Sequence, residues 1–201
     1  MQDPNDGKPA LGDELSPLEF RRLRGGEGRV AVDLRREIYS ADLVPDPDDG
    51  LDDAAIHVAA FEPSGSVVAS FRILGPELRP FDFEHLRPLD SLVASGRRPA
   101  MIGRLCVRRD YRNIKHSTRV LAGLLAEILE YGRTEAISDY FLYTFAHLRK
   151  FYTKGGFSDS NLVIDHKHWG RLYLMSMSVA QQVTRSLVSG SRSKVTPVES
   201  A

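Results

Sequence analysis

The densest group of residues able to do chemistry lies between Met101 and Leu125, MIGRLCVRRDYRNIKHSTRVLAGLL. Met101 to Val107 is an apolar run of strand type, and Arg108 to Arg112 is a charged turn. Val120, Leu121, Leu124, Leu125 and Ile128 then repeat as the buried face of a helix. The start of such a helix carries unpaired N–H groups and a partial positive charge, which together form a seat for an anion, above all a phosphate. Arg108, Arg109, Arg112, Lys115, His116 and Arg119 crowd that end. Taken alone, the same arginines also suit an ordinary strand–turn–helix unit with a solvated surface.

Other candidate groups are scattered. Arg72 and Arg104 stand among apolar neighbours, where a charge is costly unless paired. Two pairings are open to them: a bidentate clamp on an acceptor carboxylate, as an amino acid substrate requires, or structural salt bridges to the acidic loop from Asp42 to Asp53. Within that loop Asp46, Asp48, Asp49, Asp52 and Asp53 are candidates to bind a cationic acceptor or to take a proton through water, with a solvated or capping role as the alternative. His147, a little over one helical turn before Tyr152, is a candidate base, with a helix-surface role as its alternative. His57, flanked by Ile56 and Val58, reads as a structural histidine. Cys106 reads as a small buried hydrophobe rather than a nucleophile. His166 and His168 share a strand face, but two ligands do not make a metal site, and no metal is expected.

A second segment, HLRKFYTKGGF from His147 to Phe157, is a helical turn that stops at Gly155-Gly156 and enters an apolar strand. The order and separation of these two segments resemble the GNAT superfamily of N-acyltransferases. In that family a strand with the sense of IGRLCV precedes a turn of the form R-x-x-G-x-G/A, which holds the pyrophosphate of an acyl thioester donor. The corresponding residues here are Arg112, Asn113, Ile114, Lys115, His116 and Ser117, and Phe151 to Phe157 matches the family's F-Y-x-x-x-G-F segment. Lys115 stands where the first loop glycine is expected and Ser117 where the second is Gly or Ala. Glycine there lets backbone approach a phosphate closely, whereas lysine supplies charge instead. The resemblance implies Tyr152 as the general acid that protonates the departing sulfur, with core packing as its alternative role. It also implies an oxyanion contact from a backbone N–H around Leu105, Cys106 and Val107.

Asp52 to Leu74 resembles the matching hairpin of one branch, the N-acyl amino acid synthases and acyl-homoserine-lactone synthases, which take acyl chains from acyl carrier protein. Arg72 and Arg104 match that branch's recurring arginines, so the implied acceptor side comprises Arg72, Arg104 and Asp52. The lactone synthases place a glutamate three residues before the second arginine, where this chain has Met101, and their early tryptophan is absent, since Trp169 is the only one. The implied donor is an acyl thioester of acyl carrier protein or of coenzyme A. The altered turn tilts the choice toward the carrier protein, whose acidic surface the basic cluster would meet. No permanently bound cofactor is expected.

These residues need a scaffold. A first strand is expected over Glu19 to Arg24, a helix over Val30 to Tyr39, a hairpin from Ile56 to Phe61 and Val67 to Leu74, and a short helix near Leu89 to Ala94. The central strand Ala100 to Val107 leads into a helix over Ile114 to Arg133. Beyond it come an aromatic strand over Asp139 to Phe145, a helix over Ala146 to Lys154, and an antiparallel pair over Gly156 to Ile164 and Leu172 to Met177. The fold class expected is α/β (α+β): a single GNAT-like domain whose mixed, mostly antiparallel sheet has helices on both faces.

Length and composition bound the rest. A chain of 201 residues suits one domain, expected over 17–186, between a mobile leader at 1–16 and a mobile tail at 187–201. Its 27 basic and 27 acidic residues cancel, which leaves no global basic field for nucleic acid. A single cysteine fits a reducing compartment, and no apolar run approaches the ~20 residues of a membrane span. The expectation is a soluble cytoplasmic protein acting on a small-molecule amine.

Overall fold

A computed structural model describes residues 17–78 and 95–184. The leader, the tail and the short helix expected near Leu89 to Ala94 lie outside these residues. The described strands are β1 (Glu19–Arg24), β2 (Ile56–Phe61), β3 (Val67–Leu74), β4 (Pro99–Val107), β5 (Asp139–Thr144), β6 (Ser158–His166) and β7 (Gly170–Ser178). They form one sheet in the order β1-β2-β3-β4-β5-β7-β6. Every neighbouring pair is antiparallel except β4–β5. Among the described residues the helices that cover the sheet are α1 (Arg29–Ala41), α2 (Ile114–Thr134) and α3 (Arg149–Lys154), and 179–184 is helical as well.

The helices cover both faces, as expected. On one face Val120, Leu124 and Ile128 of α2 pack into the main core with Val58, Phe71, Ile73, Ile102 and Tyr140. On the other, Leu34 and Ile38 of α1 close over Cys106. Asn113 caps α2 by accepting a hydrogen bond from the His116 N–H at 3.0 Å. The segment expected as one helix over Ala146 to Lys154 divides into a 3-10 turn, Ala146–Leu148, followed by α3.

Two features of β4 shape the rest. Its parallel pairing with β5 holds only Pro99–Met101 against Asp139–Phe141, although β4 runs on to Val107. The two strands therefore part after Met101, and β4 gains an open edge in the middle of the sheet. Against β3, the register passes from Arg72↔Gly103 to Ser70↔Cys106, so that Arg104 and Leu105 together oppose Phe71. This is a β-bulge. Arg104 occupies it at a φ of +55°, a conformation costing an L-residue on the order of 1–3 kcal/mol, which the flanking ladder and the side chain's own bonds must hold.

Entry into α1 depends on Gly28. A Cβ there would stand 2.7 Å from Cδ2 of His57, whose ring is 1% exposed and fixed by a 3.0 Å hydrogen bond between Nε2 and the Asp52 carbonyl. Gly28→Ala is expected to lower the melting temperature by roughly 3–10 °C, the effect of an overpacked core in a domain of this size, as read by circular dichroism.

Candidate active site

Arg104, turned by the bulge, enters a cluster of buried ions on the α1 face. It donates to Asp46, and to the Pro47 carbonyl at 3.1 Å. Arg72, on β3, holds Asp49 at 2.5 Å and Asp52 at 2.9 Å. Arg35, on α1, holds Asp52 at 2.6 Å and Asp46 at 2.9 Å. Three guanidiniums and three carboxylates thus interlock. The acidic loop is therefore no solvated loop at Asp46, Asp49 and Asp52, and of the two pairings open to Arg72 and Arg104 the structure displays the internal one. Asp49 is the most accessible of the six, with a side chain 31% exposed.

Burial alone would raise the carboxyls of Asp49 and Asp52. The hydrogen bonds from Arg72, and from Arg35 to Asp52, outweigh it and hold both below the usual carboxylate range. His57 lies beneath this layer, on β2 between β1 and β3, and burial lowers its pKa; it is a buried structural histidine on the second strand of the sheet. Arg35 is not among the residues that the sequence singles out. Its signal is the helix face: it falls one turn before Tyr39 and beside Leu34 and Ile38, all turned toward the sheet.

The basic turn is less open than its composition suggests. Arg108 is bound by Asp110 at 2.8 Å and Glu62 at 3.0 Å, and Arg109 and Arg112 both grip Asp42, at 3.0 and 2.6 Å. Arg112 Nε also donates to the Val107 carbonyl at 2.7 Å. Asn113 spans the first turn of α2, and its side-chain nitrogen meets His116 Nδ1 at 2.5 Å. Ser117 Oγ turns back to the Ile114 carbonyl, while Ile114 itself is 87% exposed. The helix end where a pyrophosphate is expected is thus occupied by its own cap, with Lys115 and His116 beside it.

Tyr152, on α3, is 9% exposed and packs edge-on against Phe151 and Phe157. Burial pushes its phenol well above the usual value, and Tyr39 lies near enough to push it further. Tyr140, nearby in the same core, is fixed through its hydroxyl, which donates to the Ile128 carbonyl at 2.8 Å. Leu105 and Val107 of the open β4 edge pack against the same core as Tyr152. Thr144, at the far end of β5, is 3% exposed with its hydroxyl unpartnered. His147 is exposed on the 3-10 turn and stacks on Phe145 at 5.7 Å, so it is not brought into the core with Tyr152. Cys106 is buried, 3.2 Å from Ser70 Oγ, and burial raises its thiol, as suits a packing residue. His166 stacks on Trp169 at 4.2 Å, and no group of three or more metal-ligating side chains exists among the described residues.

No protein-family model matches the chain, and no curated protein matches it in sequence. Solved structures match it in shape. FeeM, an N-acyl amino acid synthase from uncultured soil microbes, aligns with a TM-score of 0.75 and 15% identity over 89% of this chain and 99% of FeeM. An acyl-CoA N-acyltransferase from Pseudomonas aeruginosa aligns at 0.58 and 18% identity over 80% of this chain and 99% of its own. The acyl-homoserine-lactone synthase LasI aligns at 0.55 and 14% identity, over 81% and 89%. The fold is a GNAT-like α/β fold. The parted β4 and β5 leave an open strand edge whose Leu105 and Val107 pack against the core that holds Tyr152, while Arg104 of the same strand belongs to the ion cluster. Among the described residues no helix is long and apolar enough to cross a membrane.

Removing Arg72 would leave Asp49 with only the longer contact to Arg104, at 3.3 Å, and Asp52 with only Arg35. Arg72→Met is expected to cost about 3–5 kcal/mol by denaturant unfolding, the cost of breaking a buried ion pair from one side. The wild-type pH profile carries a matching sign. Carboxyls depressed in the folded state contribute stability that is complete above their unfolded pKa, near 4, and that is lost as the pH falls below it. Stability should therefore drop from about pH 4 toward pH 2 in the wild type, and drop less steeply in Arg72→Met.

Proposed function

We propose that this protein is an N-acyltransferase that moves an acyl group from a thioester donor to the amine of a small molecule, an amino acid or amino acid derivative. The observation that carries the reading is the open edge of β4, whose Leu105 and Val107 pack against the same core as Tyr152. An acyl thioester laid along that edge would meet the backbone N–H of Val107, suited to stabilise charge on its carbonyl oxygen. Tyr152, a phenol that stays protonated throughout the neutral range, would supply the proton taken by the departing sulfur, and the proton given up by the attacking amine would restore it by way of water. Alignment of amine and thioester supplies much of the remaining rate.

The donor reading favours acyl carrier protein over coenzyme A. Asn113 takes the His116 N–H in the first turn of α2, and the arginines of the turn are bound to Asp42, Asp110 and Glu62, so a pyrophosphate would compete with the chain's own bonds. A carrier protein brings a single phosphate on its arm and an acidic surface that suits the exposed basic side chains. On the acceptor side, Asp49 is the exchangeable member of the ion cluster. An acceptor carboxylate would take its place on Arg72 and Arg104, and the acceptor's ammonium would pair with the displaced Asp49 carboxylate until it gives a proton to water and attacks as the free amine.

The test supplies octanoyl carrier protein or octanoyl-coenzyme A with mixed amino acids and S-adenosylmethionine, then follows free thiol and product masses. N-octanoyl amino acids are expected, faster from the carrier protein. A homoserine lactone product would replace the acceptor reading, and donor binding without any product would make the chain a binding module. Tyr152→Phe is expected to lower kcat by roughly 10²-fold, the low end for loss of a general acid, without lowering the melting temperature by more than a few degrees.

A further inference from the structure

The open edge of β4 carries an asymmetry. The Arg108 N–H donates to the Val68 carbonyl at 2.8 Å, so Arg108 faces β3. By the alternation of a strand, Val107 then turns its N–H and carbonyl the other way, and Leu105, next to the paired Cys106, turns its carbonyl there too, to the side where β5 has already parted from β4. Both carbonyls there are occupied by side chains. Val107 O accepts from Arg112 Nε at 2.7 Å, and Leu105 O accepts from the hydroxyl of Tyr39 at 3.1 Å. The donors on the same edge have no strand opposite them. An edge that would ordinarily present acceptors and donors alike has been made one of donors.

We infer that Tyr39 is a positioning residue of the oxyanion site: by donating to the Leu105 carbonyl it removes a negative dipole from beside the developing oxyanion and fixes the bulge peptide that aims the neighbouring N–H groups. This rests on the acyl-transfer reading above. The physical need is plain, since a free carbonyl oxygen within a few ångströms of a tetrahedral oxyanion repels the charge that the N–H groups are there to stabilise. The bulge makes the need local, because Arg104 at a φ of +55° lets the following peptide rotate out of the ladder plane. The setting of Tyr39 suits this role. It lies in the last turn of α1, packs against the cluster of Leu34, Ile38 and Cys106, and is pinned from behind by the ion cluster through Arg35 on the same helix. Burial keeps its phenol in the O–H form throughout the neutral range, so it remains a donor.

The test is Tyr39→Phe, which keeps the ring and deletes only the donor. With octanoyl carrier protein and the amino acid mixture, kcat is expected to fall about 10- to 100-fold, in the range for loss of support to an oxyanion site, with KM for the donor within about twofold of wild type. A merely structural tyrosine would shift KM and the melting temperature together and leave that split absent. A second readout does not depend on turnover: amide hydrogen exchange at Leu105 to Val107 should quicken in Tyr39→Phe while exchange in α2 is unchanged. Unchanged kcat and unchanged exchange in a variant of a wild-type protein that does transfer acyl groups would overturn this inference alone. A wild-type protein that transfers none would overturn the acyl-transfer reading and this inference with it.

Discussion

The structure depends on one constraint, the compensation of charge where the sheet opens. Separating β4 from β5 is what gives the protein an unpaired strand edge in its interior, and the bulge at Arg104 accompanies that separation. A left-handed arginine is costly, and three buried guanidiniums are costlier still unless each finds a carboxylate. The interlocked set of Arg35, Arg72 and Arg104 with Asp46, Asp49 and Asp52 answers both demands. It ties α1, β3, β4 and the acidic loop into one unit, and fixes the direction in which the bulge turns. The β6–β7 tip joins the same unit, because Trp169 Nε1 donates to the Pro45 carbonyl at 2.8 Å and its ring lies 5.0 Å from the Arg104 guanidinium.

The same constraint organises the chemistry proposed for the site. With the carboxylates committed to arginines, the α1 face is polar but nearly neutral, and its Asp49 corner is the place where an ionic acceptor can exchange with the protein's own groups. On the far face, Tyr152 is held among aromatic side chains. The two faces meet at the β4 edge. In the acyl transfer proposed above, acceptor and donor would approach from different surroundings, an ionic one and an apolar one, which suits the joining of a polar amine to an acyl chain.

Much of this is legible in the sequence, and what is not has a physical reason. The 3.6-residue periodicity of α2 and the alternating runs of the sheet are local signals, and they mark the helices, the strands and the mixed topology within a few residues. The pairing of Arg72 and Arg104 with the acidic loop is one of two readings open to the sequence, because a charge among apolar neighbours requires a partner but does not name it. Arg35 escapes notice since a charged residue on an amphipathic helix reads as surface until its neighbours on the inner face are counted. The bulge is invisible: nothing in an arginine's identity announces a positive φ. Nor can composition tell that the turn arginines are already bound, because Asp42 and Glu62 are distant in sequence and meet them only in the fold.

Reception of the thioester by the open edge of β4 is the central claim. It is tested most directly by adding a non-hydrolysable octanoyl thioether of the phosphopantetheine carrier protein to isotope-labelled protein and following backbone amide resonances and exchange. The largest shifts and the strongest added protection are expected at Leu105 and Val107, with a smaller response at Tyr152. Protection confined to the basic turn and the first turn of α2, with Leu105 and Val107 unmoved, would contradict it.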